Sequence, residues 1–260
     1  MKKYMLDMKV VENKSLHTNY CLLKLKSDQA LPPMLPGQFV QVRVENSPAT
    51  LLRRPISIHY IDRDKNELWL LVRKVGNATR AMAKYQPGET LNLLLPLGNG
   101  FTIPSVTAHK QNFLLIGGGV GIAPLLFLGA RLKAENLEPN FLLGARTKDE
   151  LLQLDEFQKF GTVYTTTEDG SQGEKGFVIH HSILKNLRSD YIYACGPEPM
   201  MRAVARYAAS ALISCEVSLE NTMACGIGAC LCCVENTHEG NVCVCTEGPV
   251  FNIDKLKWLS

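Results

Sequence analysis

The sequence predicts an all-β part, then an α/β part with a doubly wound parallel sheet, and a cysteine-rich tail. Short apolar segments separated by turn residues fill the first hundred residues, and strand-like and helical segments alternate in the next hundred. Six of the nine cysteines lie between Cys225 and Cys245. Each main part is long enough to bury its own core. We expect domains at residues 1–100, 101–213 and 214–260.

The first part has the composition of a small antiparallel β-barrel. Its strand-like segments are alternating or β-branched, and proline–glycine pairs and polar stretches separate them. One short helix interrupts the strands, with Thr79 as its expected N-cap. The strands are expected at residues 22–26, 39–44, 56–61, 67–72 and 90–95, and the helix at residues 80–84.

The middle part has the alternation of strands and helices that is typical of a parallel, doubly wound sheet. Its last strand places Ile213, Cys215, Val217 and Leu219 on one face. The strands are expected at residues 113–116, 141–143, 162–166, 191–194 and 213–219, and the helices at residues 124–135, 150–160, 178–187 and 198–212.

The overall composition argues against several functional classes. With 46% hydrophobic and 20% charged residues, the chain resembles an ordinary globular protein. A net charge of +3 gives no support for binding to nucleic acid or to a membrane surface. The N-terminus lacks the apolar core of a signal peptide, and no run is long enough to span a bilayer. We expect a cytoplasmic protein, whose cysteines bind a metal rather than form disulfides.

Four tail cysteines have the spacing of a [2Fe–2S] site. Cys225, Cys230, Cys233 and Cys245 form the pattern C-x4-C-x2-C followed by a distant cysteine, as in plant-type ferredoxins. Each iron takes two thiolates, so a tight loop can supply three ligands and a distant residue the fourth. The glycines between the first two cysteines can adopt positive φ and direct backbone N–H groups at the sulfurs.

Other interpretations of these cysteines stay open. Four thiolates also suit a structural zinc ion, and cysteines are common in protein cores. Cys243 competes with Cys245 as the distant ligand, because alternate residues of a strand share a face. Cys245 is preferred since it directly precedes the turn expected at residues 246–249. Cys232 has no assigned role.

Two glycine turns in the middle part suggest a nucleotide site. Residues 117–121 read G-G-G-V-G, and Pro124 then opens a helix whose N-terminus offers N–H groups to a diphosphate. A similar turn follows a later strand, and two such turns at the carboxyl edge of one sheet flank a ligand crevice. A purely structural turn is the alternative. The candidate residues are Gly117, Gly118, Gly119, Gly121, Gly196, Pro197 and Glu198. Cys195, between the strand and the second turn, is by itself more typical of a buried core thiol.

Arginines near the middle of the barrel suggest a second diphosphate site. Arg53 and Arg54 precede one expected strand, and Arg73 ends the next. Paired guanidinium groups suit a diphosphate, and the helix at Thr79 adds N–H donors. Solvated charges on the barrel rim are the equal alternative.

Together these motifs resemble the ferredoxin–NADP reductase superfamily over nearly the whole chain. There a barrel strand with the pattern R-x-Y-[S/T] binds FAD, and residues 54–57 match it with Ile56 in place of the aromatic residue. Ala78 stands where the superfamily has a glycine. The resemblance implies nicotinamide binding at the two glycine turns, with Cys195 in contact with the nicotinamide, and a contact of Ser57 near the reactive flavin nitrogen. The FAD residues that it implies are Arg54, Pro55, Ile56, Ser57, Leu71, Val72, Arg73, Ala78 and Thr79.

Within this superfamily, residues 216–230 and 245–251 resemble the electron-transfer subunits of NAD-linked class 1B dihydroorotate dehydrogenase. The related subunit of NADH-dependent ferredoxin–NADP oxidoreductase has aspartate in place of Cys225. The resemblance implies that an FMN-containing catalytic subunit oxidises dihydroorotate in pyrimidine biosynthesis. Electrons then pass through the [2Fe–2S] cluster and FAD to NAD+ without a catalytic acid or base in this chain. A heterotetramer with two copies of each subunit is implied.

Two other functions remain as alternatives. One is an NAD(P)H–acceptor reductase subunit of a sulfite reductase, sulfhydrogenase or ferredoxin–NADP oxidoreductase complex, and the first two share the C-G-x-G-x-C loop. The other is a nucleotide-sensing regulator with a structural zinc site. The nucleotide preference is open as well. Arg146 and Lys148 would favour a 2′-phosphate, whereas Asp149 and Glu150 beside them would oppose it.

Overall fold

A computed structural model describes residues 2–45, 50–104 and 111–259. The chain divides into two compact units, and the tail contributes to both. None of the helices in these described ranges is long and apolar enough to cross a membrane. The first unit contains Met1–Gly100, Asn221–Glu235 and Val242–Pro249, and the second contains Phe101–Glu220, Asn236–Asn241 and Val250–Ser260.

The first unit is built on a closed antiparallel barrel. Its strands are β1 (Tyr4–His17), β2 (Tyr20–Lys26), β3 (Phe39–Arg43), β4 (Arg54–Asp62), β5 (Glu67–Arg73) and β6 (Thr90–Leu97). They pair in the order β1-β2-β5-β4-β3-β6. Alternating apolar side chains fill the interior; Val40 and Val42 of β3, for example, are fully buried.

Five of these strands confirm the sequence prediction, and β1 was missed. Its polar residues are largely exposed, and its pairing with β2 has two irregularities, so the alternation is broken. The short helix α1 (Asn77–Met82) begins earlier than expected. The assignment of Thr79 as N-cap is wrong, because Gly76 holds that position. The Thr79 hydroxyl instead accepts hydrogen bonds from the N–H groups of Val75 and Gly76, both at 3.0 Å.

The second unit contains a seven-stranded sheet. The remaining strands are β7 (Asn112–Gly118), β8 (Glu138–Ala145), β9 (Thr162–Thr167), β10 (Glu174–Lys175), β11 (Tyr191–Cys195), β12 (Ser214–Ser218), β13 (Val234–Thr237), β14 (Gly240–Cys243) and β15 (Val250–Asn252). The sheet order is β10-β9-β8-β7-β11-β12-β15, with β13 and β14 in a separate pair. Every neighbouring pair in the large sheet is parallel except β12 and β15. The predicted fold class is confirmed.

The helices are α2 (Ala123–Ala134), α3 (Leu154–Gln158), α4 (Ile183–Asn186), α5 (Glu198–Ser210) and α6 (Val244–Glu247). The long helices expected at residues 150–160 and 178–187 are wrong. Gln153 has left-handed backbone geometry, so only α3 forms after it. His181 is extended and separates a short 3-10 turn, Val178–His180, from α4.

Candidate cofactor sites

The two glycine turns of the second unit are in direct contact. They follow β7 and β11, which are neighbours in register, with Cys195 opposite Gly117. A Cβ atom on Gly121 would lie 2.4 Å from both the carbonyl oxygen of Cys195 and the Cα of Gly196. Only glycine fits this approach of backbone to backbone. The structure therefore brings the predicted nucleotide residues together at the carboxyl edge of the parallel sheet.

The surroundings of these turns are apolar and tightly packed. A Cβ on Gly118 would lie 2.6 Å from Sδ of Met200, and one on Gly196 would lie 2.7 Å from Cε of the same side chain. Burial raises the pKa of the Cys195 thiol to about 12, and the nearby charge of Glu220 adds to this effect. Cys195 is therefore a neutral thiol near neutral pH and not a reactive thiolate.

The arginine beyond β8 is already paired. Arg146 donates from Nε to Oε2 of Glu150 over 3.1 Å and from Nη2 to Oε1 over 2.5 Å. A two-point pairing with a carboxylate occupies the guanidinium edge that a 2′-phosphate would need. A 2′-phosphate at Arg146 would therefore have to displace Glu150.

The predicted flavin residues lie where two barrel strands diverge. The ladder between β4 and β5 runs from Asp62 paired with Glu67 to Ile58 paired with Leu70. Beyond that end, residues 54–57 pair with β3, and residues 71–73 pair with β2. Residues 54–57 are partly exposed. The divergence leaves a partly exposed strand segment where a flat ring system can approach.

The two neighbouring arginines have separate environments. Arg53 Nη1 donates to the carbonyl oxygens of Gln41 at 3.2 Å and Asn92 at 3.1 Å, so this side chain ties β3 to β6. Arg54 Nη1 donates to the carbonyl oxygen of Arg53 over 3.3 Å. The expected pair of guanidinium groups is therefore wrong, because Arg53 is used within the barrel. Arg54 is the candidate for a phosphate.

Backbone N–H groups of the cysteine loop point at sulfur atoms. Gly226 and Gly228 have φ of +72° and +83°, as their spacing predicted. The N–H of Gly228 donates to Sγ of Cys245 over 3.1 Å. The N–H of Cys245 donates to Sγ of Cys233 over 3.4 Å, and that of Ile227 to Sγ of Cys225 over 3.4 Å. Donors aimed at sulfur stabilise thiolates, which are the form that binds metal.

The thiols of this loop differ in acidity. Burial opposes ionisation of Cys225, but hydrogen bonds from the backbone of Ile227, Cys230 and Ala229 outweigh it and lower its pKa to about 6. Burial, together with its contact with Cys233, raises the pKa of Cys245 to about 12. The ionisation of Cys245 is therefore linked to that of Cys233.

Cys243 and Cys245 do not share a strand face, contrary to expectation. Cys243 is the last residue of β14, whereas Cys245 lies within α6, which the sequence did not predict. Cys245 is buried and Cys243 is half-buried. Among the described residues, no three His, Cys, Asp or Glu side chains form a ligand group for a single metal ion.

No sequence motif points to Gln41, a fully buried residue of β3 that lies against the cysteine loop. Within the described part of the chain, neither Oε1 nor Nε2 of its amide has a hydrogen-bond partner. A Cβ on Gly226 would lie 2.7 Å from this Nε2. An unsatisfied buried amide against the loop that carries Cys225 fits a bound group with hydrogen-bond acceptors, and an iron–sulfur cluster is such a group.

This architecture is that of an oxidoreductase that moves electrons between bound cofactors and a nicotinamide nucleotide. Residues 220–257 match the model of the iron–sulfur cluster binding domain of dihydroorotate dehydrogenase B, and residues 115–206 match that of an oxidoreductase NAD-binding domain. The chain belongs to the family of electron-transfer subunits of dihydroorotate dehydrogenase B (NAD+), which confirms the resemblance read from the sequence. The cofactors of the family are FAD, an iron–sulfur cluster and NAD.

Two relatives support this assignment. The electron-transfer subunit from Fusobacterium nucleatum subspecies nucleatum is 38% identical over 253 residues, which cover 94% of this chain and 95% of the relative. The one from Bacillus mycoides is 39% identical over 256 residues, covering 96% and 97%.

Solved structures show the same fold. A structure of NADH-dependent reduced ferredoxin–NADP oxidoreductase aligns with a TM-score of 0.85 and 29% identity, covering 96% of this chain and 90% of that one. The ferredoxin reductase of carbazole 1,9a-dioxygenase aligns with a TM-score of 0.70 and 21% identity, covering 82% and 67%.

Proposed function

We propose that this chain takes electrons from a dihydroorotate-oxidising partner subunit and delivers them to NAD+. The net reaction converts dihydroorotate and NAD+ into orotate, NADH and a proton, so the two electrons that dihydroorotate loses reduce NAD+. The observation that carries the proposal is the tail loop, whose N–H groups donate to Cys225, Cys233 and Cys245. The tail of the chain also matches an iron–sulfur binding model.

The proposed cluster ligands are Cys225, Cys230, Cys233 and Cys245. Cys245 is chosen over Cys243 because it is buried, its Sγ accepts a hydrogen bond from the N–H of Gly228, and its N–H donates to Sγ of Cys233. The loop donors would offset the negative charge that four thiolates and a cluster bring together.

The proposed FAD residues are Arg54 to Ser57 on β4, Leu71 to Arg73 on β5, and Ala78 and Thr79 of α1. Arg54 would bind the diphosphate, and Ser57 would donate near the reactive flavin nitrogen. The nicotinamide nucleotide would bind at Gly117, Gly118, Gly119 and Gly121 and at Cys195 to Glu198. We propose residues 1–100, 101–213 and 214–260 as the FAD, NAD and cluster regions.

When bound, the cluster exchanges single electrons, and FAD couples them to the two-electron chemistry of NAD+. The chain itself positions these groups. Ser57 is half-buried in β4, Cys195 is a neutral thiol, and the glycine turns allow the nucleotide to approach the backbone. No side chain of the proposed sites needs to move a proton from the substrate.

The partner would dock on the face around the cysteine loop. Ile227, Leu231 and Val234 are 44%, 65% and 38% exposed, and Cys230 and Cys232 are exposed beside them. Apolar side chains at this density on a loop favour a protein interface. We propose an FMN-containing catalytic subunit as the partner, in a complex with two copies of each subunit. A cytoplasmic complex fits the nine free cysteines.

Anaerobic purification from native cells tests the proposal. The preparation should contain about two irons and one FAD per copy of this chain and should carry an FMN protein that oxidises dihydroorotate with NAD+. A preparation that contains zinc alone and lacks flavin would refute it. Recovery with a sirohaem or nickel enzyme instead would reassign the electron donor.

A further inference from the structure

The side-chain amide of Gln41 is the least satisfied polar group of the first unit. Gln41 is fully buried, and among the described residues neither amide atom has a hydrogen-bond partner. Desolvating an amide without a partner costs free energy, so native structures seldom keep one unless a bound group satisfies it. Gln38, which directly precedes β3 and is also fully buried, shows the usual case. Its Oε1 accepts from the N–H of Leu35 over 2.7 Å, and its Nε2 donates to the carbonyl of Gly98 over 2.8 Å.

The location of Gln41 indicates which group it serves. Val40 and Val42 point into the barrel, so the side chain of Gln41 points outward. There it meets the cysteine loop. A Cβ on Gly226 would lie 2.7 Å from Nε2 and 2.8 Å from Cγ of Gln41. The positive φ of Gly226 and this close approach both require glycine, so the loop is shaped to lie against the amide.

We infer that the Gln41 amide donates a hydrogen bond to a sulfur of the [2Fe–2S] cluster or of its thiolate ligands, and thereby raises the reduction potential of the cluster. The inference rests on the proposed function, since it needs the cluster to be held by this loop. A hydrogen bond to sulfur stabilises the reduced, more negative state, so it raises the potential. Gln41 is thus a potential-tuning residue and does not ligate iron.

The neighbouring strand explains why such tuning matters at this position. Gln41 pairs in register with Pro55 of β4, within the segment proposed to bind the flavin. The amide therefore lies on a strand that both pairs with the proposed flavin segment and contacts the cysteine loop. A donor at this position acts on the step in which single electrons pass between the two cofactors.

The test compares Gln41→Met and Gln41→Leu with the unchanged protein in the assembled complex. Both variants keep similar volume and remove the amide. Iron content and the EPR spectrum of the reduced cluster first establish that the cluster is present. Redox titration should then show that the midpoint potential of the cluster has become more negative. We expect a change of roughly tenfold in the one-electron equilibrium constant, which corresponds to about 59 mV. The FAD midpoint should stay unchanged.

Thermal unfolding of the cluster-free protein separates tuning from a structural role. Because the amide has no partner there, Gln41→Met should leave the Tm unchanged or raise it, whereas Gln38→Met should lower it by removing two satisfied hydrogen bonds. An unchanged cluster midpoint in a variant with full iron content would overturn the inference while the proposed function stands. A shift of the FAD midpoint alone would also overturn it. Absence of any cluster in the unchanged protein would instead refute the proposed function.

Discussion

The backbone N–H of Gly228 donates a hydrogen bond to Sγ of Cys245 over 3.1 Å, although 17 positions separate the two residues. The bond joins the glycine-rich loop to the helix α6. It explains how a cysteine far along the chain comes to lie beside the C-x4-C-x2-C segment. Cys243, only two positions before it, ends strand β14 instead.

Substitution of Cys245 should abolish the cluster, and substitution of Cys243 should not. In Cys245→Ser we expect the iron content to fall far below about two per chain and the reduced-state EPR signal to disappear, because a hydroxyl is a poor ligand for iron. Cys243→Ser should keep both. Anaerobic iron analysis and EPR measure this, and a reversed result would make Cys243 the fourth ligand.

The Cys225 thiol should be reactive at neutral pH in the cluster-free protein. Its folded pKa of about 6 lies below the ordinary 9.0. The thiolate therefore stabilises the fold fully above pH 9, and this contribution is lost as the pH falls toward 6. The alkylation rate of Cys225 should rise with pH with a midpoint near 6, while the buried Cys245 stays unmodified. Mass spectrometry of the labelled protein measures both. Equal labelling of the two cysteines at pH 7 would contradict the prediction.

Gly121→Ala should impair the nicotinamide site severely. The new Cβ would meet the backbone of Cys195 and Gly196 at 2.4 Å, and backbone cannot give way cheaply. We expect a loss of about 1–3 kcal/mol in the free energy of unfolding and a large rise in KM for NADH in dye reduction. Gly118→Ala is the matched control. Its Cβ would meet the flexible Met200 side chain at 2.6 Å, so both effects should be smaller.

Substitution of Arg54 should affect flavin affinity, whereas substitution of Arg53 should affect the stability of the barrel. Arg54→Ala should weaken FAD binding by roughly 10- to 100-fold, the value of a hydrogen bond to a charged phosphate, and leave the Tm of the flavin-free protein unchanged. Arg53→Ala should lower that Tm, because the carbonyl groups of Gln41 and Asn92 lose their shared donor. FAD titration by fluorescence and thermal unfolding of both variants provide the comparison. Retention of FAD by Arg54→Ala at the unchanged affinity would remove Arg54 from the flavin site.

The elements with regular periodicity were predictable from the sequence. The barrel strands after β1 and the helices α2 and α5 have uninterrupted patterns, and each lies within a few residues of its predicted place. The two shortened helices were not predictable, because single residues interrupt them. Gln153 adopts φ of +55°, and His181 is extended, although neither residue type normally breaks a helix.

The candidate sites were predictable where spacing alone defines them. The cysteine pattern and the glycine turns are local, so their residues could be named in advance. Gln41 was not recognisable, because a glutamine between two valines in a strand has the pattern of a solvent-facing residue. It is buried by a loop from the far end of the chain, and only the tertiary structure places Gly226 against it.

Successive segments of the tail belong to different compact units, and this limits how the chain can be shortened. β15 is the terminal strand of the parallel sheet and pairs with β12 through Val217 and Phe251. A chain shortened at Glu220 to obtain a cluster-free diaphorase would also strip this strand from the nucleotide unit and bare the edge of β12. The iron–sulfur segment is therefore not a detachable module, and only point substitutions can silence it while the rest of the enzyme stays intact.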